Sequence, residues 1–271
     1  MDYQKLIKEL ETITLDAAKF MVGHANRTSQ NKTSERDFVT VADIKSQDLI
    51  TKRLGGFYPG VTILSEELSP EMQKKVYDTK FTGFVIDPID GTFNFKRDMH
   101  ESGISIGYVE NGEPQAGVIY DPYRLEMYTV VKGRAALRNG KPIHVSDQAD
   151  IAGASITTSN SYDDEAMARN LKRHLAIFEQ TGTMPWTNCT GSGVLIMTYI
   201  ACGRMDIYHH NGLKPWDNPV AFLLIREAGG RVLTLKGEEA SFTSPTILTG
   251  NPALVQKIQE VFAHVPVELL Q

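Results

Sequence analysis

The stretch Phe84-Val-Ile-Asp-Pro-Ile-Asp-Gly-Thr-Phe-Asn-Phe95 joins an apolar, β-rich run to two aspartates three positions apart, and then to Gly-Thr. A short run of β-branched and aromatic residues bounded by turn formers predicts a strand, here expected to stop at Asp87. Pro88 fixes its own backbone and gives no N–H to a ladder, so Asp87 and Asp90 can turn toward one place. Gly91 lets the backbone approach a ligand closely, and a helix beginning near Thr92 would offer free N–H groups to phosphate oxygens. Taken alone, the same residues also read as a strand and an Asx-type turn with both acids in water.

Upstream, residues 61–64 form a second β-rich run that ends at Glu66-Glu67. Thr40 with Asp43 three residues on has the pattern of a capping box, which puts Asp43 in the first turn of a helix expected to reach Leu54, before Gly55-Gly56. Leu6, Ile7, Leu10, Ile13, Ala17, Phe20 and Met21 recur at three- and four-residue intervals, the signature of an amphipathic helix ending near Gly23. The polar stretch 26–36 reads as a mobile loop. Downstream, residues 104–109, 117–120 and 126–131 read as antiparallel strands joined by Asn111-Gly112 and Asp121-Pro122, with a further hairpin at Asn139-Gly140.

After about residue 150 the pattern becomes alternation. Strands are expected at 155–158, 206–208, 231–235 and 246–248, with helices at 163–178, 192–201 and 217–228 and a last one from Pro252. The chain thus reads as an α+β half of about 1–150 and an α/β half of about 151–271. No repeat or long linker separates them, so one domain over 1–271 is expected.

The 271 residues are 41% hydrophobic and 23% charged, ordinary globular composition. A net charge of −5 without a basic stripe argues against a nucleic-acid partner. Cys189 and Cys202 lie outside any CxxC pattern and read as packing thiols of a reducing compartment. Asp2, Lys5, Lys8, Glu9 and Glu11 interrupt any secretory apolar region, and nothing approaches the ~20 apolar residues of a membrane span, so a cytoplasmic protein with no membrane partner is expected.

Asp43, Glu66, Glu67 and Asp217 join Asp87 and Asp90 as candidate site residues. Two carboxylates about 4 Å apart repel by roughly 4 kcal/mol at an effective dielectric of 20, so several can share a site only with cations. The candidate ligands are hard oxygens, with no His or Cys at the same strand ends, which favours Mg²⁺ or Mn²⁺ over Zn²⁺. Bound ions would also let an acidic protein attract a phosphate and would acidify a coordinated water. Asp217, before a helix with Pro219 in its first turn, has an ordinary reading too, as a plain N-cap. His209 and His210 read as adjacent surface residues rather than metal ligands.

Ser65-Glu-Glu67, Asp87-Pro-Ile-Asp-Gly-Thr92 with Asn94-Phe95, and Trp216-Asp217 with Glu227-Ala-Gly-Gly230 together resemble the inositol monophosphatase family. Val39-Thr-Val-Ala-Asp43 and Gly191-Ser192 fit as well, and the segments fall in the family's order over essentially the whole chain. The resemblance implies a layered αβαβα sandwich, Mg²⁺-dependent and lithium-sensitive hydrolysis of a small phosphate monoester, and a homodimer. By the same resemblance Glu66, Asp87 and the Ile89 carbonyl hold one metal, while Asp87, Asp90 and Asp217 hold a second. Glu66 also faces a weaker third ion, with Glu67 near the site. Thr92, hydrogen-bonded to Asp43, orients and helps deprotonate the attacking water, and the N–H groups of Gly91 and Thr92 bind phosphate.

Two departures bear on the substrate. His210 stands where inositol-selective members carry a Glu that contacts sugar hydroxyls, with Gly193 at the neighbouring pocket position. Phe93 replaces the family's second Thr and is followed by Lys96-Arg97, a rim suited to a larger or more anionic substrate such as a bisphosphate or NADP. Other classes fit less well. The aspartate spacing fails the DxDx[TV] pattern of haloacid-dehalogenase phosphatases. Gly191-Ser-Gly193 begins like GxGxxG but has Ile196 at the last glycine, and no P-loop occurs. A non-catalytic relative that binds metal and phosphate to regulate a partner stays open as the alternative from another class.

Overall fold

Leu6, Leu10, Ile13, Ala17 and Met21 are all buried along one side of α1 (Tyr3–Val22). Each large aliphatic side chain buried in this way contributes roughly 1.5–3 kcal/mol. That stripe, more than intrinsic propensity, holds the helix. The computed structural model describes residues 1–22, 28–32, 38–78 and 80–271. Within the expected loop, Ser29–Asn31 (β1) pairs antiparallel with Phe38–Thr40 (β2); positions 26–27 and 33–36 lie outside the described residues. α2 (Val41–Phe57) begins at the expected capping box, with Asp43 N–H donating to Thr40 Oγ1 and Thr40 N–H to the Asp43 carboxylate. It continues through Gly55-Gly56 to Phe57, because each glycine costs a helix only about 1 kcal/mol relative to alanine.

The first half continues through β3 (Thr62–Ser65), the short α3 (Pro70–Gln73), β4 (Gly83–Asp90) and α4 (Thr92–Lys96). β5 (Gly103–Glu110), β6 (Glu113–Asp121), β7 (Glu126–Val131), β8 (Leu137–Arg138) and β9 (Lys141–Pro142) follow. Strands β3 to β9 form one seven-stranded sheet in sequence order, parallel only between β3 and β4. Contrary to the expected stop at Asp87, β4 runs on to Asp90. Its register against β5 shifts between those two aspartates, around Pro88, which has no N–H for the ladder.

The second half comprises β10 (Ile156–Ser159), α5 (Asp164–Thr181), β11 (Cys189–Thr190), α6 (Gly193–Ala201) and β12 (Ile207–Asn211). It ends with α7 (Asn218–Glu227), β13 (Arg231–Leu233), β14 (Thr246–Gly250), α8 (Pro252–Phe262) and a 3₁₀ turn, Val267–Leu270. Its five-stranded sheet has the order β11-β10-β12-β14-β13. β10 is parallel to both neighbours and the remaining pairs are antiparallel.

These elements stack in five layers. α1 and α2 cover the outer face of the larger sheet, α6 and α7 lie between the sheets, and α5 and α8 cover the far face of the smaller one. The expected αβαβα sandwich is the fold observed. α6 is buried at every residue, as a helix between two sheets must be. Gly117 lets α7 seat on the larger sheet: a β-carbon there would stand 2.5 Å from Val220 Cγ2. Cys202 packs beside the central core as expected, whereas Cys189 is exposed. Among the described residues no helix is long and apolar enough to cross a membrane.

Candidate active site

The end of β4, the turn after β3 and the N-terminal ends of α4, α6 and α7 meet at one cleft of about 800 Å³. Carboxylate oxygens of Asp87, Asp90 and Asp217 come within 4.8 Å of one another there. Each is held by donors that leave part of the carboxylate free. Asp87 accepts from Ile89 N–H at 3.0 Å, and Asp90 accepts from the Ser192 hydroxyl and from Val194 N–H at 3.1 Å. Asp217 accepts from Lys214 N–H at 2.9 Å. Its side chain makes no helix-cap hydrogen bond, so the plain N-cap reading fails and the carboxylate is available to the cleft.

The electrostatics follow from this crowding. Burial, then the charges of Glu66, Asp90 and Asp217, hold the Asp87 carboxyl well above the usual range. Burial raises Asp90 to about 7 against its two hydrogen bonds, and burial with the Asp90 charge raises Asp217 strongly. A cluster that resists ionisation alone, built of hard oxygens and aimed into an open cleft, fits a divalent cation. Lys32 supplies a positive charge on one side, with Nζ 2.8 Å from Glu66 and 2.7 Å from Glu67. Burial alone would lower the Lys32 pKa, but the two glutamates more than offset it and raise it. Glu67 is raised to about 7 by burial and by the Glu66 charge.

Thr92, the first residue of α4, places its hydroxyl 3.3 Å from Asp43 and 3.0 Å from the Ile89 carbonyl. Asp43 is buried and raised to about 6, chiefly by desolvation, with the hydrogen bonds from Thr40 opposing. Gly91 precedes α4 at φ +79°, and a β-carbon there would lie 2.8 Å from the Glu101 carbonyl, so only glycine fits.

Gly193 and His210 both line the cleft. The surface reading of the two histidines is wrong, since His209 and His210 are buried. They are successive residues of β12, so their side chains leave opposite faces of the sheet. His210 turns to the cleft, and His209 turns to the layer of α5 and α8, beside His174 and Phe262. Four contributors were missed in the sequence. Lys32 lay in a stretch read as a loop; Ser192 was read as a helix start and as part of the family pattern, but not as the donor to Asp90; the polar pair Asn170 and Arg173, buried under His210, carried no local signal.

The five-layer αβαβα sandwich thus brings a carboxylate cluster and a Thr–Asp pair together in one cleft. The family model described as "Inositol monophosphatase family" matches residues 2–266. The chain is 34% identical to the Nus factor SuhB of Xylella fastidiosa, over 84% of this chain and 82% of that one. It is 31% identical to the inositol-1-monophosphatase of Bacillus subtilis, over 89% of each. The solved inositol monophosphatase of Anabaena (Nostoc) superposes with a TM-score of 0.82 at 27% identity, covering 98% of both chains. The chain belongs to the inositol monophosphatase family.

Proposed function

We propose that residues 1–271 act as one catalytic unit that hydrolyses a small phosphate monoester, of the inositol-1-phosphate type, with Mg²⁺ or Mn²⁺. The observation that carries the reading is the convergence of Asp87, Asp90 and Asp217 beside the Thr92–Asp43 pair. Glu66, Asp87, Asp90, Asp217 and the Ile89 carbonyl would hold the ions. Bound there, divalent cations would offset the carboxylate charges, acidify a water and stabilise the charge of the transferring phosphoryl group. Asp43, with a pKa of about 6, would receive a proton relayed through the Thr92 hydroxyl as water attacks. The N–H groups of Gly91 and Thr92 would hold phosphate oxygens, and Gly193 and His210 would face the leaving group. NADP and sugar bisphosphates would undergo the same chemistry.

The name of the Bacillus relative supports the substrate type, and the names of the SuhB relatives favour a second reading, a regulatory protein of the Nus-factor kind. The two part in one experiment. Phosphate release is measured from inositol-1-phosphate, NADP and fructose-1,6-bisphosphate, with Mg²⁺, with and without lithium, beside Asp90→Asn. Turnover of one ester that lithium inhibits and Asp90→Asn abolishes is the expected result. No release from any ester by folded, Mg²⁺-binding protein would leave the regulatory reading standing.

A further inference from the structure

Beneath the cleft wall, Arg173 and Asn170 of α5 are fully buried, and Asn170 Nδ2 lies 3.1 Å from His210 Nδ1. The Asn170 oxygen accepts from the Arg173 guanidinium and, at 2.9 Å, from Asn211 N–H. Both of those groups can only donate. The amide oxygen must therefore face them and the amide NH₂ must face His210, whichever way the side chain is first drawn. A ring nitrogen that receives a hydrogen bond carries no proton, so the single proton of a neutral His210 sits on Nε2.

That nitrogen has no hydrogen-bond partner in the protein among the described residues. Gly212 adjoins it and brings no side chain against it; even a β-carbon there would make only ordinary contact, 3.8 Å from Nε2. The ring is backed by Tyr208, stacked at 5.6 Å and 16°. Burial and the nearby Arg173 charge both disfavour a second proton on the ring. Leu213, Trp216 and Met167 add apolar lining, and a volume of about 800 Å³ lies within the ~300–1,000 Å³ of sites that enclose drug-sized ligands.

We infer that Arg173 and Asn170 are positioning residues that lock His210 as a neutral Nε2–H donor, and that the cleft takes a phosphate ester whose leaving group is partly apolar and offers a hydrogen-bond acceptor to that donor. The substrate class rests on the phosphatase reading; the tautomer does not. A carboxylate at this place would instead accept from hydroxyl groups, so the relay inverts the polarity of the contact.

The test uses the whole protein with ¹⁵N-labelled histidine, His210 being assigned by comparison with His210→Phe. Two-bond ¹H–¹⁵N spectra should show His210 neutral and protonated at Nε2 at pH 7, and Nε2 should shift when adenosine 2′-monophosphate is added. In Mg²⁺ assays His210→Phe should raise KM for that nucleotide about tenfold with little change in kcat. His210→Gln, which keeps an N–H donor, should recover most of the loss, and the KM for glycerol 2-phosphate, whose small leaving group has no apolar part, should change less than that for the nucleotide. A proton on Nδ1, or a charged ring, overturns the relay. An Nε2 signal unmoved by nucleotide, or equal KM changes for both esters, overturns the substrate class. If neither ester is hydrolysed while Nε2 still shifts with nucleotide, the phosphatase reading falls and the contact stands.

Discussion

The Ser192 hydroxyl, at the head of α6, donates to the carboxylate of Asp90 at the end of β4, across 102 residues of sequence. The same oxygen of Ser192 accepts from Leu195 N–H and so caps its own helix. One side chain thus ties the middle layer to the candidate metal site. Ser192→Ala should lower stability by about 1–3 kcal/mol, from the lost cap and a less satisfied buried carboxylate. It should also weaken Mg²⁺ binding about 10–100-fold, as loss of a partner that orients a ligand typically does. Urea unfolding and calorimetric Mg²⁺ titration check the two effects; unchanged metal affinity would remove Ser192 from the site.

Thr92 to Asp43 is the one hydroxyl–carboxylate pair beside the cluster that the proposed chemistry uses. Thr92→Ala should lower kcat by about 10²–10⁴-fold with KM changed much less. A fall confined to KM would mean that Thr92 binds substrate and does not move a proton.

Asp87 carries a strongly raised pKa without a cation, so at pH 7 the unfolded chain ionises it freely while the folded chain resists. Asp87→Asn should therefore make the metal-free protein more stable while abolishing activity. The wild type should gain about 2.7 kcal/mol from Mg²⁺ at a hundred times its Kd, and the variant much less. Thermal unfolding in EDTA and in Mg²⁺ reads both. A variant less stable than wild type in EDTA would contradict the crowding argument.

His210 is held neutral, its pKa lowered to about 3 by burial and by Arg173, so the unfolded state takes up a proton below about pH 6.5 that the folded state refuses. Stability is then lost as pH falls through that window, by about 2 kcal/mol at pH 5 for this one group. His174 and the deeply buried His209 act in the same direction. His210→Phe should lose less stability between pH 7 and pH 5 than wild type by about that amount, in urea unfolding at both pH values. Equal losses would show that His210 titrates normally.

The sequence was most legible where the physics is local. The α1 stripe, the capping box at Thr40 and the Asn139-Gly140 turn depend on neighbours within four residues, and each formed where expected. The aspartates of β4 could be grouped with Asp217 because their motif is dense, and the three carboxylates converge. Asp217 had two local readings, and only the tertiary structure chose between them, by giving its carboxylate to Lys214 N–H and the cleft instead of to its own helix. His209 and His210 were misread because adjacency along a strand says nothing about which face is covered: His209 lies under α5 and α8, and His210 in the wall of the cleft. Lys32, Asn170 and Arg173 owe their positions to contacts across tens of residues, which no periodicity records.

The cleft draws Asp87 and Asp90 from β4 but Asp217 from the far side of the chain, behind α6. A ribosome finishing the first half therefore exposes a sheet that carries the two crowded aspartates of β4 but lacks Asp217. Closure of the three-aspartate cluster must wait until α6 and α7 have docked between the sheets, late in synthesis and slow in any refolding experiment, since long loops have to close first. On a half-made chain the three-aspartate cluster is incomplete, so an ion held by all three carboxylates would report that folding is complete.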